Sequence, residues 1–96
     1  LLGGRVVRDE GDDVYLRLPD GQVPLAFQRE TFTPPRWPAT EGEQHMMMHL
    51  EVAVDDLEAA LTHALEQGAT LAEFQPQEDV RVCLDPAGHP FCLVTV

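Results

Sequence analysis

The sequence predicts an α+β fold of paired βαβββ modules, the first lacking its opening strand and most of its helix. Three observations predict it. A block of glycine, short strands and turns recurs at a spacing near 66 residues: Gly3 to Gly68, Val14 to Val80, Gly21 to Gly88. One amphipathic helix pattern stands before the second copy of the block. Runs of β-branched and aromatic residues bounded by Gly, Asp and Pro fill most of the remainder.

The chain opens LLGGRVV. Two leucines, two glycines and a β-branched pair read as the last turn of a helix, its glycine cap and the start of a strand. The expectation is that a strand and most of a helix, about 20 residues by the usual element lengths, precede Leu1 in a complete module. Residues 2–29, LGGRVVRDEGDDVYLRLPDGQVPLAFQR, then give a strand, a turn, the strand VYLRL, a PDG turn and the strand LAFQ. Residues 30–45, ETFTPPRWPATEGEQH, hold three prolines and the single Trp in a polar setting. They read as an extended, semi-rigid linker.

The second module begins at residue 46. MMMHLEVAV (46–54) has strand character. Strand parity puts Met48, Leu50, Val52 and Val54 on a face that packs on the helix, and His45, Met47, His49 and Glu51 on the other. In DDLEAALTHALEQG (55–68), Leu57, Ala60, Leu61, Ala64 and Leu65 make one helical stripe. Asp55 is the expected N-cap, with Glu58 three residues on, and Gly68 the C′ glycine. Residues 67–96 repeat the block with strands VRVCL and FCLVTV joined by a DPAG turn. The whole reads as one domain: 1–29 the remainder of module 1, 30–45 the linker, 46–96 module 2.

Charge narrows the partners. The net charge is −11, from 17 acidic and 6 basic residues. A nucleic-acid ligand and an anionic membrane surface both want the opposite sign. A neutral or cationic small molecule is compatible. No apolar run approaches the roughly 18 residues of a membrane helix. Two cysteines, Cys83 and Cys92, make no disulfide framework, so a reduced, cytoplasmic protein is expected. A hairpin turning at residues 85–90 would place the two nearly opposite each other.

HLEVAVDDLEAALTHALEQGATL resembles the opening of the second module in the vicinal oxygen chelate superfamily, the glyoxalase/bleomycin-resistance fold. DPAGHPFCLV resembles its closing hairpin, and LAFQRETFTPPRWP…QHMMMHLEV the connector of a glyoxalase-like subgroup. The resemblance covers nearly the whole chain. It implies a cupped sheet around one cleft, in which a small molecule and often a divalent metal bind, and members of the family often pair as homodimers. Family members place up to four metal ligands in that cleft, one from the first and one from the last strand of each module. Position by position, these fall on His49, on Cys92 where Glu is usual, and on Ala26, with Gln28 on the same strand face. The fourth lies before Leu1. The pattern is broken at two of three positions, so no cofactor is expected, although a divalent metal is what the family would supply.

Each singled-out residue has a plain structural reading beside the functional one. His49 either hydrogen-bonds near the core or contacts ligand, and it is the one credible metal donor. Met47 lines an apolar pocket or merely packs. Trp37 walls the cleft or pins the linker. Gln28 points inward to ligand or outward to water. Cys92 is a small buried thiol before it is a thiolate ligand. Two function classes therefore stay open. One is a metal-free small-molecule-binding domain of the bleomycin-resistance kind, using His49, Gln28, Met47, Trp37 and Cys92. The other is a metal-dependent lyase, isomerase or dioxygenase built on His49 and a further ligand before Leu1. The degraded ligand set favours the first.

Overall fold

The computed structural model describes residues 1–19 and 24–95. The rest of the PDG turn predicted from Pro19, the Gly21–Gly88 correspondence and the terminal Val96 lie outside the described residues. The chain forms two compact units, Leu1–Phe32 and Thr33–Val96. Among the described residues no helix is long and apolar enough to cross a membrane.

The first unit is a three-stranded antiparallel meander: β1 (Arg5–Asp9), β2 (Asp13–Arg17) and β3 (Leu25–Gln28), in that order. Asp9 and Gly11 make the first turn. Gly11 has φ 86, and its N–H donates to Asp9 Oδ1 at 2.9 Å. The side chain thus holds the chain in a conformation that glycine adopts without steric cost. The register shifts between Val6 and Arg8, leaving Val7 as the extra residue of a bulge. Val6 pairs with Leu16, Leu16 with Leu25 and Val14 with Phe27, so one face is apolar. Val6 and Phe27 on that face are more than half exposed. The other face carries Arg5, Arg17, Tyr15, Ala26 and Gln28.

The second unit is a four-stranded sheet with one helix. In chain order it has β4 (Leu50–Ala53), α1 (Leu57–Glu66), β5 (Thr70–Leu71), β6 (Val80–Leu84) and β7 (Pro90–Val94). In space the strands run β4-β7-β6-β5, with β4 parallel to β7 and the other pairs antiparallel. This is the βαβββ order the sequence predicts. Ala64, Cys83 and Leu93 are the buried centre, and Val52, Val54, Leu57, Ala60, Leu61, Ala69 and Phe91 pack around them. Alanine at positions 60 and 64 lets the helix approach the sheet closely. Leu65, predicted in the stripe, stands at its margin and is exposed.

Three local predictions are corrected. The strand predicted over 46–54 is confined to Leu50–Ala53. Its ladder partner β7 begins at Pro90, which has no N–H to donate, so β7 pairs with no residue before Leu50. Parity therefore does not reach back to Met48, which is 86% exposed instead of packed on the helix, and Leu50 is itself half exposed. The N-cap is Asp56, not Asp55: its side chain accepts from Ala59 N–H at 3.0 Å. Glu58, expected to assist the cap, instead reaches Arg81 at 2.7 Å. Finally, the cysteines are not opposite each other. Cys83 pairs with Phe91, and Cys92 with Val82. The offset of one residue sends Cys83 to the helix side of the sheet and Cys92 to the other. Both are free and buried.

Two glycines and one glutamine close the unit. Gly68 follows the helix with φ 105, as predicted for C′. Gly88 has φ 92, and a Cβ there would stand 3.0 Å from Pro34 Cβ. The segment after Thr33 is thus seated on the β6–β7 turn. Gln75 extends the short β5 edge. Its amide accepts from Val82 N–H at 3.0 Å and donates to Val82 O at 2.8 Å, standing in for a strand residue's backbone.

The cap assignment predicts that Asp56→Ala lowers stability by about 0.5–2 kcal/mol in urea unfolding, whereas Asp55→Ala has little effect. The reverse order would restore the Asp55 cap. Leu93→Ala should cost about 2–5 kcal/mol, as for a fully enclosed leucine.

Burial pushes both thiols up from their ordinary range, and for Cys92 the Glu51 carboxylate and then Cys83 add to the effect. A raised folded-state value contributes stability that is present below the unfolded thiol value, about 8.5, and lost as pH rises through the folded one. Unfolding free energy should therefore fall as pH rises past the unfolded thiol value, about 8.5. Thiol reagents should find neither cysteine until the protein unfolds. Native-state labelling as fast as in denaturant would contradict the packing described.

Candidate functional site

The predicted site residues separate by unit and by face. In the second unit the helix covers the side of the sheet bearing Val52, Cys83 and Leu93. Glu51 pairs with Cys92, and Cys92 with Val82, so these three share the opposite side. His49 joins them. Its Nε2 is 3.4 Å from Glu51 Oε1, as expected of side chains two residues apart along an extended chain. The parity that assigned His49 and Glu51 to one face and Val52 and Val54 to the other thus matches the packing.

Trp37 is brought to this place by the segment read as a linker. Arg36 N–H donates to Gln44 O at 2.6 Å, and Met46 N–H to Arg36 O at 3.3 Å. Arg36 and His45 form a parallel bridge. The loop so closed sets the Trp37 ring against His49, with centroids 4.9 Å apart and planes tilted by 33°. Phe74 meets Trp37 edge-on at 5.4 Å. Trp37, His49 and Phe74 thus form one aromatic cluster.

His49 is the unusual member. Its side chain is 23% exposed, and its Nε2 is buried without a hydrogen-bond partner among the described residues. The Glu51 oxygen is near enough for an ion pair with a protonated imidazole, but not aligned for a hydrogen bond. Glu51 itself is 63% exposed. The arrangement is a shielded nitrogen beside a carboxylate that reaches solvent. It can offer a ligand one imidazole contact, one negative charge and an aromatic wall.

The other predicted residues take different positions. Met47 is 86% exposed. Cys92 lies beneath the surface, 1% exposed, next to Glu51 across the strand pair. Gln28 ends β3 of the first unit, exposed and opposite Asp13. The position equivalent to Cys92 in that unit also changes. Leu16 and Val82 correspond in the repeat, yet Leu16 pairs with Leu25 while Val82 pairs with Cys92. The first hairpin is one residue shorter, so Leu25, not Ala26, takes the place of Cys92. Ala26 and Gln28 then fall on the reverse face. Neither leucine nor alanine offers a donor.

Sequence reasoning placed Glu51 on this face without naming it as a site residue, and it passed over Phe74. Alternation along β4 was the available signal for Glu51. Nothing near Phe74 in the sequence announces that it meets a tryptophan 37 positions earlier.

Comparison with known proteins agrees with this architecture. The crystal structure of SMU.1112c superposes with a TM-score of 0.62 at 23% identity, covering 97% of this chain and 80% of that one. At that identity the likeness is one of fold. No curated protein matches the sequence. The family model described as "Glyoxalase-like domain" matches residues 1–94. With the βαβββ order of the second unit and the repeated strands of the first, this match over nearly the whole chain makes the protein a member of the glyoxalase-like domain family.

Proposed function

We propose that this protein is a small-molecule-binding member of the family, taking its ligand on the helix-free face of the four-stranded sheet without a complete metal site. The observation that supports this reading is His49, roofed by Trp37, whose Nε2 is buried beside the Glu51 carboxylate and has no hydrogen-bond partner among the described residues. Buried polar atoms are nearly always paired, and an exception asks for a partner from outside the chain. His49 supplies the directional contact, Glu51 the charge, and Trp37, with the exposed Met47 nearby in sequence, the apolar surface. Cys92 lies below as a small neutral filler.

The divalent metal implied by the family does not fit the residues present. Hard divalent ions want several oxygen or imidazole donors held together. Among the described residues no three His, Cys, Asp or Glu side chains gather in a way that could hold one. Cys92 would have to ionise, and burial and the Glu51 carboxylate both oppose that. The residues thus support binding by shape, one imidazole and one carboxylate.

Elemental analysis of protein purified without chelator should find no stoichiometric metal. Calorimetric titrations with zinc, nickel and manganese should give no tight binding. His49→Ala should cost only about 0.5–1.5 kcal/mol of stability, the worth of its ring contact with Trp37. Because Trp37 is the sole tryptophan, intrinsic fluorescence reads the site directly. A small-molecule screen should yield compounds that change Trp37 emission in the parent but not in His49→Ala. One equivalent of metal retained through dialysis, and lost in His49→Ala, would replace this reading with the metal-dependent lyase, isomerase or dioxygenase.

A further inference from the structure

The segment between β5 and β6, residues 72–79, belongs to no strand or helix, yet it carries Phe74. An aromatic ring on a connecting loop ordinarily has no fixed place, because ordering the chain beneath it costs backbone entropy. Here Phe74 meets Trp37 edge-on at 5.4 Å, with the planes at 70°, and Trp37 lies 4.9 Å from His49. A specific attachment must hold the loop.

That attachment is the next residue. Both polar ends of the Gln75 side chain reach Val82. Its Nε2 donates to Val82 O at 2.8 Å, and its Oε1 accepts from Val82 N–H at 3.0 Å. Nε2 also donates to Ala72 O at 2.9 Å. A carboxamide has two donors and two acceptor positions, so three of its four are filled. Two bonds to one residue fix the plane of the group as well as its place. The anchor is firm, since Val82 is 1% exposed in β6 and paired with Cys92 of β7. Sealing the outer edge of β6 accounts for the two Val82 bonds. It does not account for the third. With Ala72 on one side and Gln75 on the other, the chain is tied down on both sides of Phe74.

We infer that Gln75 is a positioning residue for the candidate site: it sets Phe74 against Trp37, and Phe74 sets the indole plane over His49. Its bearing on ligand binding rests on the small-molecule reading above, whereas the positioning does not. All the residues involved lie in the second unit, Thr33–Val96. Edge-to-face packing is directional, so the Phe74 contact restricts the tilt of Trp37 and not only its location. The tilt decides how much of the imidazole the indole covers.

The test is NMR of the His49 ring protons in the full chain, together with acrylamide quenching of Trp37 emission. An indole this close displaces the imidazole signals by its ring current, and Trp37→Leu gives their positions without it. Gln75→Met keeps the length of the side chain and removes all three hydrogen bonds. It should move the His49 signals about half the distance toward the Trp37→Leu positions, and it should raise the quenching constant. Gln77→Met, in the same segment, should match the parent. Should Gln75→Met fail to fold, Gln75→Glu takes its place. It keeps the acceptor for Val82 N–H, loses both donors and should displace the signals in the same direction. His49 signals that move no further in the Gln75 variant than in Gln77→Met would overturn the positioning role, even with a lowered melting temperature, and leave Gln75 an edge seal. Neither readout needs a bound compound. Failure here therefore leaves the small-molecule reading standing, and failure of the emission screen leaves the positioning role standing.

Discussion

The second unit depends on β7. It is the one strand of the sheet with β4 on one side in parallel and β6 on the other in antiparallel pairing. Leu93 at its centre is fully enclosed and meets Cys83 and Ala64 on the helix side. Cys92, the adjacent residue, is enclosed on the other side. A strand buried on both faces cannot slip by one residue without exchanging its two surfaces. That constraint fixes which side chains face the helix. It also determines which remain for a ligand, since the side of Glu51 follows from its pairing with Cys92.

The same strand sets where β4 starts. Proline at the head of β7 ends the ladder, so the chain before Leu50 is released from the sheet. His49 lies at this boundary. It keeps the direction dictated by β4 while gaining room to stack on Trp37. Position 50, one residue further along, belongs to the opposite face, and Leu50 there is half exposed. The Pro-rich segment has its own role, because its loop closure and its seat against Gly88 carry Trp37 to the sheet. A stretch that looked like a spacer is part of the unit that holds the candidate site.

The two units use the repeated strands differently. In the second, apolar residues on both faces of β6 and β7 are covered. In the first, one face is apolar and the other gathers arginines, Tyr15 and Gln28. Arg8 lies over the Tyr15 ring at 4.8 Å, a cation–π contact on the same face as Arg5 and Arg17. The guanidinium-rich face of the first unit is the reverse of the face that holds Leu25, the Cys92 equivalent, so it matches the helix-covered side of the second sheet and not the side of His49 and Glu51.

The sequence by itself determined the element order, the helix stripe, the C′ glycine and the parity of β4. These are local properties: helical and strand periods, and glycine's access to positive φ. It therefore also determined that His49 and Glu51 share a face. Only the tertiary structure decided which aspartate caps the helix, since Asp55 and Asp56 are equivalent until the chain's entry angle is known. It decided that Cys83 and Cys92 point to opposite sides, because hairpin register turns on a single residue of loop length. For the same reason it moved the first unit's Cys92 equivalent from Ala26 to Leu25. The meeting of Trp37 with His49 and Phe74, and of Arg5 with Arg17, was likewise decided there. Contacts between residues far apart in the chain are set by how elements pair and pack, and no local pattern records them.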